Sequence, residues 1–297
     1  MRVLVSGSSG MVGTALISRL ESSGDKVTRL ARRQPRTSGG KDFAVWDPEG
    51  SRLDVHALEG HDAVVHLAGE SISHGRWTAE KKKRIRESRV RGTQLLSEAI
   101  TRLSSRPEVL VCASAVGYYG DRGDEILTEE SGSGSGFLAE VCREWEAATE
   151  AARRAGIRVV ILRFGMILSP LGGALKTMLP IFRMGLGGTF GDGRQWMSWI
   201  ALQDVVETIV HVTAAHELSG PVNTVSPNPV RNEEFTEVLG RTLHRPTFFV
   251  VPAVVARLAL GDMAQELLLA SARVVPRRLE ASGFKFRNPD LAQALRT

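Results

Sequence analysis

The opening thirteen residues, MRVLVSGSSGMVG, constrain the fold more than any other stretch of the chain. Arg2 to Ser6 is an apolar, β-branched run of strand length, too short for a helix. Gly7, Gly10 and Gly13 follow at intervals of three, and from Met11 to Leu20 the apolar residues recur at helical period. A strand, a glycine turn and a helix in that order predict the first βα unit of a dinucleotide-binding domain. Glycine lets the backbone bend tightly and come close to a phosphate. The N–H groups at the helix start then meet the anion at the positive end of the helix dipole. Glycine triplets also build ordinary turns; the position between strand and helix gives this one its meaning.

Further short apolar runs predict strands at Lys26–Ala31, Phe43–Trp46, Asp62–Leu67, Glu108–Ser114, Ile157–Arg163 and Pro221–Ser226. Between them lie helical patterns, a long one over Thr78–Ser104 and another over Phe137–Ala155. The alternation predicts an α/β fold with a Rossmann-type, doubly wound parallel sheet. From Met166 the rhythm loosens into glycine-rich turns and short helices, at Gln203–Ala215, Asn232–Leu243, Val254–Leu260, Met263–Ala272 and Asp290–Leu295. Pro246, Pro252, Pro276 and Pro289 punctuate this half. Residues 1–165 are therefore read as the cofactor-binding Rossmann domain, completed by about 201–226, and residues 166–200 and 227–297 as a smaller, mostly helical C-terminal substrate lobe. A crevice between the two is the expected substrate site.

The chain has 297 residues and a formal net charge of +5. Its basic residues are scattered apart from Lys81–Arg91, a pattern that argues against nucleic acid and is met by a solvated helix face. The two cysteines, Cys112 and Cys142, sit in apolar elements without metal-ligand spacing, so buried, reduced thiols and no metal site are expected. No apolar run approaches the length of a membrane span and the N-terminus reads as a strand, not a signal peptide. The expectation is a cytoplasmic protein with a small-molecule partner; oligomeric state is not legible.

The second strand ends in Arg32 and Arg33, where a dinucleotide fold faces the adenosine ribose. An acidic side chain there would bind a 2′-hydroxyl, whereas guanidinium matches a 2′-phosphate, so these arginines point to NADP(H) over NAD. Asp47, at the end of the third strand, either meets the adenine edge or begins a turn.

Several longer motifs carry a resemblance. They are SGSSGMVG at Ser6–Gly13, HLAGE at His66–Glu70, SRVRGT at Ser88–Thr93, SAVGYYG at Ser114–Gly120, FLAEVCREWE at Phe137–Glu146 and LRFGMIL at Leu162–Leu168. GLGGTFGDGRQWMSWI at Gly185–Ile200, VSPNPVRNEEF at Val225–Phe235 and VVPRRLEASGFKF at Val274–Phe286 follow. Together they resemble the atypical extended short-chain dehydrogenase/reductases, in the SDR39U1-like branch named after epimerases, whose small C-terminal domain corresponds here to about 247–295. The resemblance implies NADP(H) as cofactor. It implies Gly7, Gly10, Met11, Val12 and Gly13 at the pyrophosphate and Arg32, with Arg33 beside it, at the 2′-phosphate. Leu67, Ala68 and Gly69 then pass under the cofactor with Glu70 nearby, and Arg89 stands where most members place an asparagine, with Arg84 a further candidate.

The superfamily's Tyr-x-x-x-Lys pair exchanges a proton while hydride moves to or from the nicotinamide. Counting back from Leu162 and Arg163, its slots fall on Phe137 and Val141, which carry no proton. Ser114 corresponds to the family's serine or threonine. Tyr118 and Tyr119, the chain's only tyrosines, are either substitute acids or packing residues, and Glu70 and His74 are further proton carriers. The leading expectation is an NADP(H)-dependent oxidoreductase acting on a small carbonyl or alcohol. The alternatives are a non-catalytic NADP(H)-binding sensor or scaffold and, third, a nucleotide-sugar epimerase.

Overall fold

The computed structural model describes residues 1–33, 43–73 and 75–296. The chain opens with β1 (Arg2–Ser6), α1 (Met11–Ser22), β2 (Lys26–Ala31), β3 (Phe43–Asp47), β4 (Arg52–Leu53) and β5 (Ala63–His66). Next come the long helix α2 (Ala79–Thr101), β6 (Val109–Ala115) and α3 (Phe137–Ala147). These strands join Arg158–Phe164 and Gly220–Thr224 in one eight-stranded sheet. From one edge to the other the order is Gly220–Thr224, Arg158–Phe164, β6, β5, β1, β2, β3, β4. Neighbours run parallel except β4, which is antiparallel to β3.

The sheet is doubly wound, as its sequence pattern predicts. From β1 the chain moves outward through β2 and β3, then returns to lay β5 on the other side of β1. The strand order therefore reverses between β1 and β5, and the crevice beyond their C-terminal ends is where such sheets bind ligands. Strands buried on both faces explain the apolar runs. One face packs Val3, Val5, Val65 and Val111 against Leu16, Ile17 and Leu20 of α1 and the Leu202–Ala214 helix. The other packs Leu4, Leu30, Val64 and Leu110 against Leu96, Ala99 and Ile100 of α2.

The second half builds its own core around Leu168, Leu175, Phe182, Trp199 and Phe235. Short parallel pairings hold it, Met166–Leu168 with Trp199–Ala201 and Gly188–Phe190 with Phe249–Val251. The last segment is stitched back to the first: Arg273–Val274 pairs with Ile126–Leu127, and Ser198 Oγ donates to Ala272 O at 2.7 Å.

The expected continuous helix over Phe137–Ala155 is two helices, since α3 stops at Ala147 and a second helix runs from Glu150 to Arg154. Both cysteines are buried and free, and among the described residues no group of side chains suits a metal ion. Among the described residues no helix is long and apolar enough to cross a membrane.

Candidate functional site

The glycine turn closes tightly under β5. Gly7 has a φ of +68°, and a Cβ there would lie 2.7 Å from the carbonyl carbon of Leu67. Gly13 packs on the turn itself, with a Cβ position 2.3 Å from Gly7 O. Gly10, the N-cap of α1, has no side chain to satisfy the helix start, and its N–H donates to Gly7 O at 3.0 Å. Side-chain-free backbone at a helix N-terminus is a phosphate cradle. Met11 and Val12 supply the first helical N–H groups; the Met11 side chain reaches across to Gly172 of the second lobe.

Ser6 and His66 fix the neighbouring loop. Ser6 Oγ lies 2.6 Å from His66 Nδ1 and accepts from the Leu67 N–H at 3.1 Å, so the residues entering Leu67–Gly69 are tied to β1. His66 is fully buried, and burial holds its pKa down at about 4.

Arg32 and Arg33 stand exposed at the end of β2. Beside Arg32 a cleft of about 610 Å³ opens, lined also by Val45, Asp47, Arg52 and Asp54. The Asp47 carboxylate accepts from the Gly50 N–H at 3.0 Å, which makes it a turn-forming residue here.

On the far side of β1, Glu70 accepts from Lys81 Nζ at 2.6 Å, and that hydrogen bond holds its carboxyl below the ordinary range. Arg84 lies mainly toward Glu80, at 2.7 Å. Arg89 Nη1 donates to the carbonyls of Glu70 at 3.0 Å and Ile85 at 3.1 Å, and the guanidinium lies 5.1 Å from the Trp145 ring centre. His74 lies outside the described residues.

The proton-carrying candidates at the end of β6 and just after it, Ser114, Tyr118 and Tyr119, meet on one ion pair that the sequence reading did not single out. Ser114 Oγ donates to Glu146 Oε1 at 2.7 Å, and Arg163 clamps the same carboxylate through Nε and Nη2, both at 2.8 Å. Arg163 Nη1 also donates to the Tyr119 hydroxyl at 3.0 Å, and its guanidinium carbon sits 3.5 Å from the Tyr118 ring centre. Burial opposes the charge on Arg163, but the Glu146 contacts outweigh it and raise its pKa. Tyr119 is fully buried, with its hydroxyl 2.7 Å from Asn223 Oδ1 and 2.9 Å from Thr128 O; burial raises its pKa. Tyr118 is only half-buried, its ring edge-on to Tyr119. A signal for the pair existed: a lone arginine inside an apolar strand is rarely buried without a carboxylate.

The slots counted on α3, Phe137 and Val141, both lie in its first half. Phe137 turns away, edge-on to Trp77 at 5.5 Å and 5.1 Å from Lys82 Nζ. The face toward the end of β6 carries Leu138, packed on Gly117, then Cys142, whose thiol lies 3.8 Å from Ala115 O, then Glu146. Burial pushes the Cys142 thiol up to about 11. α3 ends at Ala147 and the next helix starts at Glu150, so Phe137 and Val141 lie on the first of two helices. The wall still lacks the Tyr-x-x-x-Lys pair.

The fold and motifs have counterparts. The NAD dependent epimerase/dehydratase family model matches residues 3–225, and a domain of unknown function, DUF1731, matches residues 251–297. The epimerase family protein Mb2239 of Mycobacterium bovis is 43% identical over 99% of this chain and 96% of its own length. The chloroplastic SDR39U1 homolog of Arabidopsis thaliana is 38% identical over 100% of this chain and 86% of its own. The crystal structure of human epimerase family protein SDR39U1 with NADPH superposes with a TM-score of 0.88 at 33% identity, covering 99% of this chain and 98% of that one. The resemblance drawn from the motifs is thereby borne out, and the chain belongs to the NAD dependent epimerase/dehydratase family, in its SDR39U1-like branch with a DUF1731 C-terminal domain.

Proposed function

We propose that this chain binds NADP(H) and acts as an oxidoreductase on a small carbonyl or alcohol. The observation that carries the reading is the cradle itself. Gly7, Gly10 and Gly13 leave bare backbone at the start of α1, and the two exposed arginines ending β2 suit a 2′-phosphate. The NADPH in the human relative's crystal structure supports the same cofactor. When bound, NADPH supplies a hydride.

The chain's own residues give the reaction a restricted proton supply. Phe137 and Val141, in the slots counted for the superfamily's phenol and cation, carry no proton, and the α3 side chains facing the end of β6 include Leu138 and the buried Cys142 thiol. Ser114 directs its proton at Glu146, and the Tyr119 hydroxyl is committed to buried partners. Tyr118, half-buried and flat against Arg163, is the remaining phenol of the cluster. Slow turnover with Tyr118 as acid follows. The same commitments favour, as a second reading, a binding module in which the cofactor sets conformation without chemistry. NADPH oxidation screened against a carbonyl library separates the two: turnover that falls in Tyr118→Phe supports the oxidoreductase, and none with any carbonyl supports the module.

A further inference from the structure

The large apolar side chains left exposed are unevenly placed. Among the described residues, all but Met1, Val45 and Ile126 fall in residues 171–186 and 248–267 of the second lobe. The two stretches meet. Arg245 Nε donates to Arg183 O at 2.8 Å, a Gly185 Cβ would lie 3.6 Å from Pro246, and Gly188–Phe190 pairs with Phe249–Val251. Around this seam Phe248 is 87% exposed, Met184 65% and Leu186 51%. The strand then runs into the Ala253–Leu260 helix, which is apolar on both sides. Ala256 is buried and Leu260 packs on the Trp77–Met263 cluster, whereas Val254, Val255 and Leu258, on the opposite face, are uncovered. An exposed apolar face of this kind marks an interaction surface.

Charge decides what covers it. Residues 171–191 and 238–261 contain no aspartate or glutamate. Arg183 precedes Met184, Arg245 bonds to Arg183 O, and Arg257 precedes Leu258, so cations border the apolar groups. All three are exposed, and among the described residues none forms an ion pair; their printed-out donors go to Arg183 O, His244 O and the Gln265 side chain. A second copy of this chain across a two-fold axis would set one positive rim against another, at a Coulombic cost. An anionic lipid surface answers both features, because apolar side chains enter the acyl boundary while arginines stay among the headgroups. We propose that this face of the second lobe is a peripheral membrane-binding surface for an anionic bilayer, with Phe248, Met184 and Leu258 embedded. The Ala253–Leu260 helix has only 8 residues, so the face lies on the bilayer and does not cross it. The inference stands apart from the NADP(H)-binding reading and does not rest on it.

Co-sedimentation of the full chain with lipid vesicles tests it. Wild type is expected to sediment with vesicles of equal parts phosphatidylcholine and phosphatidylglycerol. It should stay in solution with phosphatidylcholine alone and be released from the anionic vesicles by high salt. Phe248→Ser/Leu258→Ser should lower the partition coefficient about tenfold or more, through lost apolar burial. Arg183→Gln/Arg257→Gln should also lower it about tenfold or more. Arg153→Gln/Arg154→Gln, which removes the same charge from the Glu150–Arg154 helix, should leave it unchanged. All of these side chains are exposed, so the unfolding midpoints of the variants should match wild type. Wild type that fails to sediment with the anionic vesicles overturns the proposal, as does full partition in Phe248→Ser/Leu258→Ser. An equal loss in Arg153→Gln/Arg154→Gln overturns it too, since the attraction would then belong to no particular face. Sedimentation velocity showing a dimer that Phe248→Ser/Leu258→Ser dissociates would assign the face to a second copy instead.

Discussion

Ser114 Oγ and Glu146 Oε1 lie 2.7 Å apart, which joins the end of a central strand to a helix carboxylate that Arg163 already holds. The side chains of Arg163 and Glu146 are only 4% and 13% exposed, so each depends on the other for its charge. Removing one partner of such a pair leaves an uncompensated buried ion. Arg163→Met is expected to destabilise the fold by about 3–5 kcal/mol in urea unfolding. The double variant Arg163→Met/Glu146→Leu should recover much of that loss. A double variant no more stable than the single one would mean that the ion pair does not dominate at this position.

The two tyrosines should separate by readout. Tyr119→Phe removes a hydroxyl bonded to Asn223, Thr128 and Arg163, so a loss of about 1–3 kcal/mol is expected. Tyr118→Phe should leave stability within about 0.5 kcal/mol, as at sites without buried polar contacts. If Tyr118 is the acid, that variant lowers kcat by about tenfold or more with little change in KM. Equal stability losses in the two variants would contradict this division of roles.

Cofactor choice is expected to follow Arg32. NADPH should bind about tenfold or more tighter than NADH, and Arg32→Asp should abolish or reverse that preference. Fluorescence titration giving equal affinities in the wild-type protein would remove the argument from β2.

The glycine turn offers a cleaner probe at Gly10 than at Gly7. A side chain on Gly7 meets Leu67 backbone at 2.7 Å and requires positive φ, so Gly7→Val should damage folding as well as binding. At Gly10 the Cβ position is 3.2 Å from Gly7 O, a tight contact but a wider one than at Gly7, and the backbone there does not need positive φ. Gly10→Val is therefore expected to lose NADPH affinity while keeping its unfolding midpoint close to wild type. Retained affinity would make the loop a structural turn only.

His66 makes acid stability predictable. Its folded pKa of about 4 lies below the unfolded value near 6.5, so the unfolded state takes up the proton first. The folded state is undiminished above about pH 6.5 and loses stability as the pH falls toward 4, by roughly 3 kcal/mol from this group. His66→Gln, which does not titrate, should flatten that part of the stability–pH curve relative to wild type. Parallel curves for the two proteins would mean that His66 is not the group responsible.

The fold was legible where local pattern and tertiary burial agree. The strand of the β1–Gly7–α1 unit and the strand at Val109–Ala115 are buried on both faces, because helices cover both sides of a parallel sheet, whereas Lys26–Ala31 buries only Val27 and Leu30 and was marked by its short run and its place after α1. The pairings Trp196–Met197 with Val230–Arg231 and Met166–Leu168 with Trp199–Ala201 were not legible, since two or three residues hold no measurable period. At the site, the glycines declare themselves through spacing, and Arg32 through its place at a strand end. Arg163 and Glu146 were hidden because they come from different elements, and only the packed sheet brings them within 2.8 Å. The face that α3 turns to β6 was hidden for a related reason, since the contacts of Leu138 with Gly117 and of Cys142 with Ala115 also join different elements.

Glu266 connects the end of the chain to its middle. Both of its carboxylate oxygens accept from the first turn of α3, from the Phe137 N–H at 2.8 Å and the Leu138 N–H at 2.7 Å. The helix that presents Leu138, Cys142 and Glu146 thus takes its start from a residue more than a hundred positions downstream. A gene shortened to the first 225 codons would encode every strand of the large sheet, yet its product would have an unanchored helix beside the crevice. Selection on the chemistry of one half therefore acts on the other, and the two are expected to travel through recombination as a single heritable block.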